Sequence, residues 1–197
     1  MIGISNKNEV LSGGVKMNLY KSILAPILIG FGVVVNLTLE APLGAILFSF
    51  GLLGVCTLGA DLFTGKAGYM WRTQPVELSN ILLINLLVGY LFGVIIRIGF
   101  PTLIPLAVSK VISWSFSLQF FIQSIFCGII MYIAVDIYKK GNLMGIFFGV
   151  PLFILCGFQH CIANIIVLGI AGDFDGSILL AIVGNLIGSI IISFLNT

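Results

Sequence analysis

His160 is the only histidine in the sequence, and Asn164 follows it four residues later inside Gly157–Gly169, GFQHCIANIIVLG, where the surroundings are mostly Leu, Ile, Val and Phe. An imidazole can give or take a proton, and a residue four places on shares its side of a helix. Polar groups this deep in apolar sequence are costly: a charged side chain at mid-bilayer costs about 2.5–3.5 kcal/mol, and an unpaired polar group carries its own penalty. Such a residue therefore lines a cavity or has a partner. The plain reading is a core histidine bonded to a neighbouring helix. A second polar interruption, GADLFTG at Gly59–Gly65, brings Asp61 and Thr64 to the end of another long apolar segment and favours a site shared by two breaks.

Other chemistries find no footing. Cys56, Cys127, Cys156 and Cys161 sit in apolar runs at spacings that match no zinc or disulfide framework, as small hydrophobes do. No metal set, nucleotide loop or nucleophile constellation is present, so the reading is not an enzyme and invokes no cofactor. A membrane redox protein using His160 with Cys156 and Cys161 is the weakest alternative. Nucleic-acid binding has no support, because the nine Lys and Arg are few and lie in short loops.

The elements that must position these residues follow from composition. The 197 residues are 59% hydrophobic and only 8% charged, whereas a soluble domain is about 25% charged. The mean hydropathy is +1.22. This describes an integral membrane protein in a lipid bilayer, with room for six spans at about 20 residues each. The 24 glycines suit close helix packing in lipid.

Residues 1–18 read as a polar N-terminal cytoplasmic segment without the pattern of a cleaved signal peptide. Spans are expected over 19–39, 42–58, 78–100, 116–138, 143–170 and 177–194. The second breaks at GADLFTG, and residues 65–80 read as a short half-helix and a loop. The fifth breaks at Gly157, and a connector holding Pro105 and Lys110 precedes the fourth. Asp61 is expected to cap or to pair with Lys66 or Arg72, and Asp136 to be solvated or paired beside Lys139 and Lys140.

Six spans put both termini on one side. With the N-terminus inside, Lys7, Lys16, Lys21, Lys66, Arg72, Lys139 and Lys140 face the cytoplasm, leaving only Arg97 and Lys110 outside. A weak repeat appears in the same layout: each break is followed, in the next span, by Asn85-Leu-Leu-Val-Gly89 or Asn185-Leu-Ile-Gly188. Residues 19–100 and 101–197 then form two three-span halves of inverted topology, whose interrupted middle helices meet near the membrane centre. In such folds the breaks offer backbone N–H groups and helix ends to a solute. Gly89-x-x-x-Gly93 and Gly184-x-x-x-Gly188 offer close-packing faces.

With GADLFTGK at Gly59–Lys66, GFQHCIAN at Gly157–Asn164 and the Gly184–Gly188 run in the last span, the chain resembles the formate/nitrite transporter family from about Leu19 onward. That resemblance implies an all-α, aquaporin-like membrane fold of six helices with an inverted 3+3 repeat, in a multi-pass protein of the inner (cytoplasmic) membrane. It implies that Thr64 and His160 face each other at a pore centre, supported by Asn164. Leu52, Phe63 and Phe153, with Phe48 as a fourth, would form apolar constrictions, and Lys110 would draw anions into the outer vestibule. Family members are typically homopentamers with one pore per protomer. Two positions depart from the pattern: Gln159 stands where the family often has Glu, and Cys127-Gly128 stands in the region where span 4 usually carries Asn.

The function so implied is a channel or transporter for small monovalent anions, of formate, nitrite or hydrosulfide type, in which the central histidine enables protonation of the permeant. The conjugate acid then crosses the apolar rings more cheaply than the ion. The alternative is a pore for water or a neutral small solute, favoured by the absence of Glu before His160.

Overall fold

Asn18 opens the first helix by accepting the Lys21 N–H on its side chain at 3.2 Å, which satisfies one of the orphan donors of a helix start. The computed structural model describes residues 17–70 and 74–196. The expected cytoplasmic segment, apart from Met17 and Asn18, and Arg72 as a partner of Asp61 lie outside the described residues.

Nine α-helices run through the described residues: α1 Leu19–Thr38, α2 Leu43–Thr57, α3 Phe63–Ala67, α4 Pro75–Gly99, α5 Ile104–Ile112, α6 Leu118–Lys139, α7 Met144–Leu155, α8 Cys161–Ala171 and α9 Ser177–Leu195. Helices α1, α4, α6 and α9 are each long and apolar enough to cross a membrane. The other two crossings are broken: α2 with α3, and α7 with α8. The six expected spans and the interruption of the second and fifth are therefore present, in an all-α membrane fold.

Two boundaries differ from the sequence reading. The third span starts at Pro75 rather than near Leu78, because proline is favoured in the first turn, where its missing N–H costs nothing. The connector before the fourth span is a 3-10 turn, Pro101–Leu103, followed by α5. Pro101 and Pro105 stand in the first turns of these short helices, and Ala107 and Val111 bury one side of α5, which packs on α8.

Close backbone contact holds the spans together. Helix α4 lies against α8 and α6 against α9. A Cβ at Gly93 would run into the Ile166 carbonyl, and one at Gly188 into that of Ile125, so only glycine permits these approaches. At the far end of α8, Arg97 donates to the carbonyls of Ile170 at 2.9 Å and Ala171 at 2.5 Å, placing a cation on the helix C-terminus.

Candidate functional site

Both breaks turn on a glycine in the left-handed region, Gly59 at φ 61° and Gly157 at φ 70°, which ends α2 and α7 and lets the chain reverse into a new helix. Helix α3 then starts after Leu62 and α8 after His160. Three of their leading N–H groups are filled from within the protein. Phe63 N–H donates to the Asn85 side chain and Cys161 N–H to that of Asn185, each at 2.9 Å. The third is taken by the histidine itself, since Ala163 N–H donates to His160 Nδ1 at 3.0 Å. These three donors are held by side chains rather than offered to a solute.

The cap decides the tautomer. A backbone N–H can only donate, so Nδ1 of His160 accepts, and in the neutral ring the proton sits on Nε2. Nε2 lies 2.9 Å from Thr64 Oγ1. The ring donates to the threonine oxygen, and the threonine hydroxyl keeps its own hydrogen for another acceptor. Both residues are buried, His160 at 2% exposure and Thr64 at 1%.

Two cavities approach this pair from opposite ends. One, of about 60 Å³, reaches from Lys110 down to His160 and is also lined by Asn36, Phe48, Phe153, Gln159 and Asn164. The other, of about 520 Å³, is lined by Leu52, Cys56, Asp61, Gly65, Lys66, Tyr69, Asp136 and Lys139. They share no lining residue. Phe48 and Leu52, one turn apart on α2, face different cavities, so the divide falls between them. The ring of Phe153 meets Phe48 edge-on at 5.8 Å and stacks on His160 at 5.7 Å. Thr64 lines neither cavity; it bonds a residue of the first and adjoins Gly65 of the second.

Of the residues named from the sequence, His160, Asn164, Lys110, Phe48 and Phe153 thus line one cavity, and Leu52 the other. Phe63 is buried and lines neither. The Asn164 side-chain amide donates to Gln159 Oε1 at 3.0 Å, and its backbone N–H to the His160 carbonyl at 2.8 Å. Gln159 in turn donates to Gln123 Oε1 at 3.3 Å. The span-4 group that faces this site is therefore Gln123, one helical turn before the Cys127-Gly128 singled out from the sequence. Asn36 lines the same cavity, and a single amide in a span carries no spacing signal in the sequence.

Two of the acidic groups, Asp61 and Asp136, are paired. Asp61 binds Lys66 at 2.8 Å and accepts the Asn18 N–H at 3.1 Å, tying the start of α1 to the first break. Asp136 binds Lys140 at 2.7 Å and accepts from Tyr69 at 3.0 Å. Its hydrogen bond and charge draw the exposed Lys140 ammonium above its ordinary value. The Lys139 ammonium lies 3.4 Å over the Tyr69 ring. All four cysteines are free thiols.

No family model matches the sequence, and no curated protein matches it. Solved structures do share its fold. An FNT family ion channel superposes with a TM-score of 0.72 at 16% identity, over 90% of this chain and 86% of its own. A pentameric formate channel with formate bound superposes with a TM-score of 0.69 at 22% identity, over 90% of this chain and 94% of its own.

Proposed function

We propose that this chain is a membrane channel of the formate/nitrite transporter family, passing small monovalent anions of the formate, nitrite or hydrosulfide type, and that it is a transporter and not an enzyme. The observation that carries the reading is the 2.9 Å bond between Thr64 and His160, buried where two cavities from opposite ends stop. A channel whose own structure holds formate has this fold over nearly its whole length. By the same likeness the assembly is a homopentamer, with one pore through each protomer.

In this reading both termini are cytoplasmic in the inner membrane, and residues 19–100 and 101–197 are the inverted halves. Among the described residues Lys110 is the only charged one lining its cavity, so that cavity favours anions, aided by neutral amides from Asn36, Gln159 and Asn164. Phe48 and Phe153 form the outer apolar layer, and Leu52, with Phe63 next to Thr64, the inner one.

A bare anion loses its hydration at these rings, which raises its affinity for a proton. The anion takes that proton from vestibule water, an oxonium becoming water as the anion becomes its conjugate acid, and returns it on the far side. His160 enables this step as a donor array and not as the proton source. Its Nδ1 is committed to the Ala163 N–H, and its Nε2–H orients Thr64 so that the threonine hydroxyl can donate to the permeant. Anion and proton cross together, with no net charge moved.

The test is a flux panel in reconstituted vesicles over formate, nitrite, hydrosulfide, chloride, lactate and water. Formate, nitrite or hydrosulfide should pass, each carrying a proton, and chloride, whose acid is too strong to form, should not. Water or a neutral solute passing while all anions are excluded would select the neutral-pore reading instead.

A further inference from the structure

The two asparagines that the sequence repeat brought forward do more than end a helix. Asn185 is fully buried and spends its amide on three backbone groups. Its Oδ1 accepts from Cys161 N–H at 2.9 Å, and its Nδ2 donates to the carbonyls of Gln159 and Ser124, each at 2.8 Å. Gln159 and Cys161 are the residues on either side of His160. One amide from α9 therefore grips the backbone before and after the histidine and ties both to α6.

Asn85 repeats the arrangement in the other half, equally buried. It accepts from Phe63 N–H at 2.9 Å and donates to the carbonyls of Asp61 at 3.1 Å and Ser22 at 2.8 Å. Here the gripped residue is Leu62, two places before Thr64. The Ser22 carbonyl is a vacant acceptor in α1 because the residue four places on is Pro26, which has no N–H to give. The proline that interrupts the first span thus supplies the acceptor on which the Asn85 amide hangs.

We infer that Asn185 and Asn85 are positioning residues that set the backbone of the two breaks, and through it the meeting of the His160 ring with Thr64. Neither lines either of these two cavities, so in this reading neither touches the permeant. They act by fixing where each half presents its polar group. Asn185 governs the ring directly, since the residue it brackets is the histidine whose Nδ1 caps α8. The functional arm of the inference rests on the permeation reading; the spectroscopic arm does not.

Because His160 is the only histidine, selective 15N-histidine labelling of the full chain, carried on a histidine-free affinity tag, gives a single imidazole to observe. The wild-type ring should show one neutral form protonated at Nε2. Asn185→Ser should give mixed tautomers or exchange broadening and about tenfold lower formate flux, because two buried carbonyls lose their donor. Asn185→Asp keeps the acceptor for Cys161 and loses both donors, so it should disturb the ring likewise. Ser189→Ala is the control: this buried hydroxyl on the same helix donates to Gly128 at 3.0 Å and reaches neither break. It should leave spectrum and flux at wild-type values. An Asn185→Ser protein, folded and assembled, with the wild-type imidazole spectrum would overturn the inference. So would failure of both Asn185 variants to assemble, which would make this a folding residue, or an equal spectral change in Ser189→Ala. A wild type that passes no formate while its imidazole responds to Asn185→Ser would leave the positioning intact and remove the permeation reading.

Discussion

Ala163 N–H, a backbone group, decides which nitrogen of His160 carries the proton, and that choice makes Thr64 the donor at the centre of the chain. Thr64→Ala should therefore leave Nε2–H without its buried partner at a cost of about 1–3 kcal/mol, and flux should fall about tenfold or more. Thr64→Ser keeps the hydroxyl and should restore most of the flux, whereas Thr64→Val, with the same shape, should not; initial rates in vesicles check both. Lys110→Ala should slow flux at low salt, with the difference from wild type shrinking as ionic strength rises to about 0.15 M and beyond, because an exposed charge acts by screened attraction. Both central residues were legible in the sequence, because a polar group in apolar surroundings demands a partner. Asn36 and Gln123 were not, since an isolated amide in a span looks the same whether it faces a cavity, a helix or lipid.

The broken helices depend on two glycines in a conformation that a Cβ penalises. Gly157→Ala has open space around it, so its cost is the left-handed backbone alone, about 1–2 kcal/mol. The variant should assemble with a lower thermal midpoint in detergent and a perturbed His160 signal. Gly93→Val should do worse, because its side chain meets the α8 backbone at Ile166, and loss of assembled protein on size exclusion is the expected result. The breaks could be read from sequence because each interrupts a long apolar run with glycine and a polar group. The helix α5 could not: Pro101 and Pro105 look like breakers unless it is known that each stands at a helix start. The role of Pro26 was likewise hidden, since the vacancy it leaves at the Ser22 carbonyl is filled by a residue 63 positions away.

Across the whole molecule, the fold is held in common with channels at 16% and 22% identity. That is reasonable for a structure whose constraints are few: apolar spans of sufficient length, two glycine-led breaks, small residues at the crossings and an asparagine to close each half. Composition and hydropathy were enough to see six spans. The state of assembly leaves no mark in a single chain, because a lipid-facing and a protomer-facing apolar surface have the same composition. A homopentamer is expected, and light scattering in detergent should return the protein mass of five 21.2-kDa chains; a monomer or trimer would remove that part of the proposal. The central claim is tested most directly by proton-coupled formate flux into vesicles, measured with an internal pH dye for the wild type and for His160→Asn from pH 5 to pH 8. Wild-type uptake should acidify the lumen and rise as external pH falls, while His160→Asn should be slow throughout. Equal uptake by both proteins, insensitive to pH and without acidification, would contradict it.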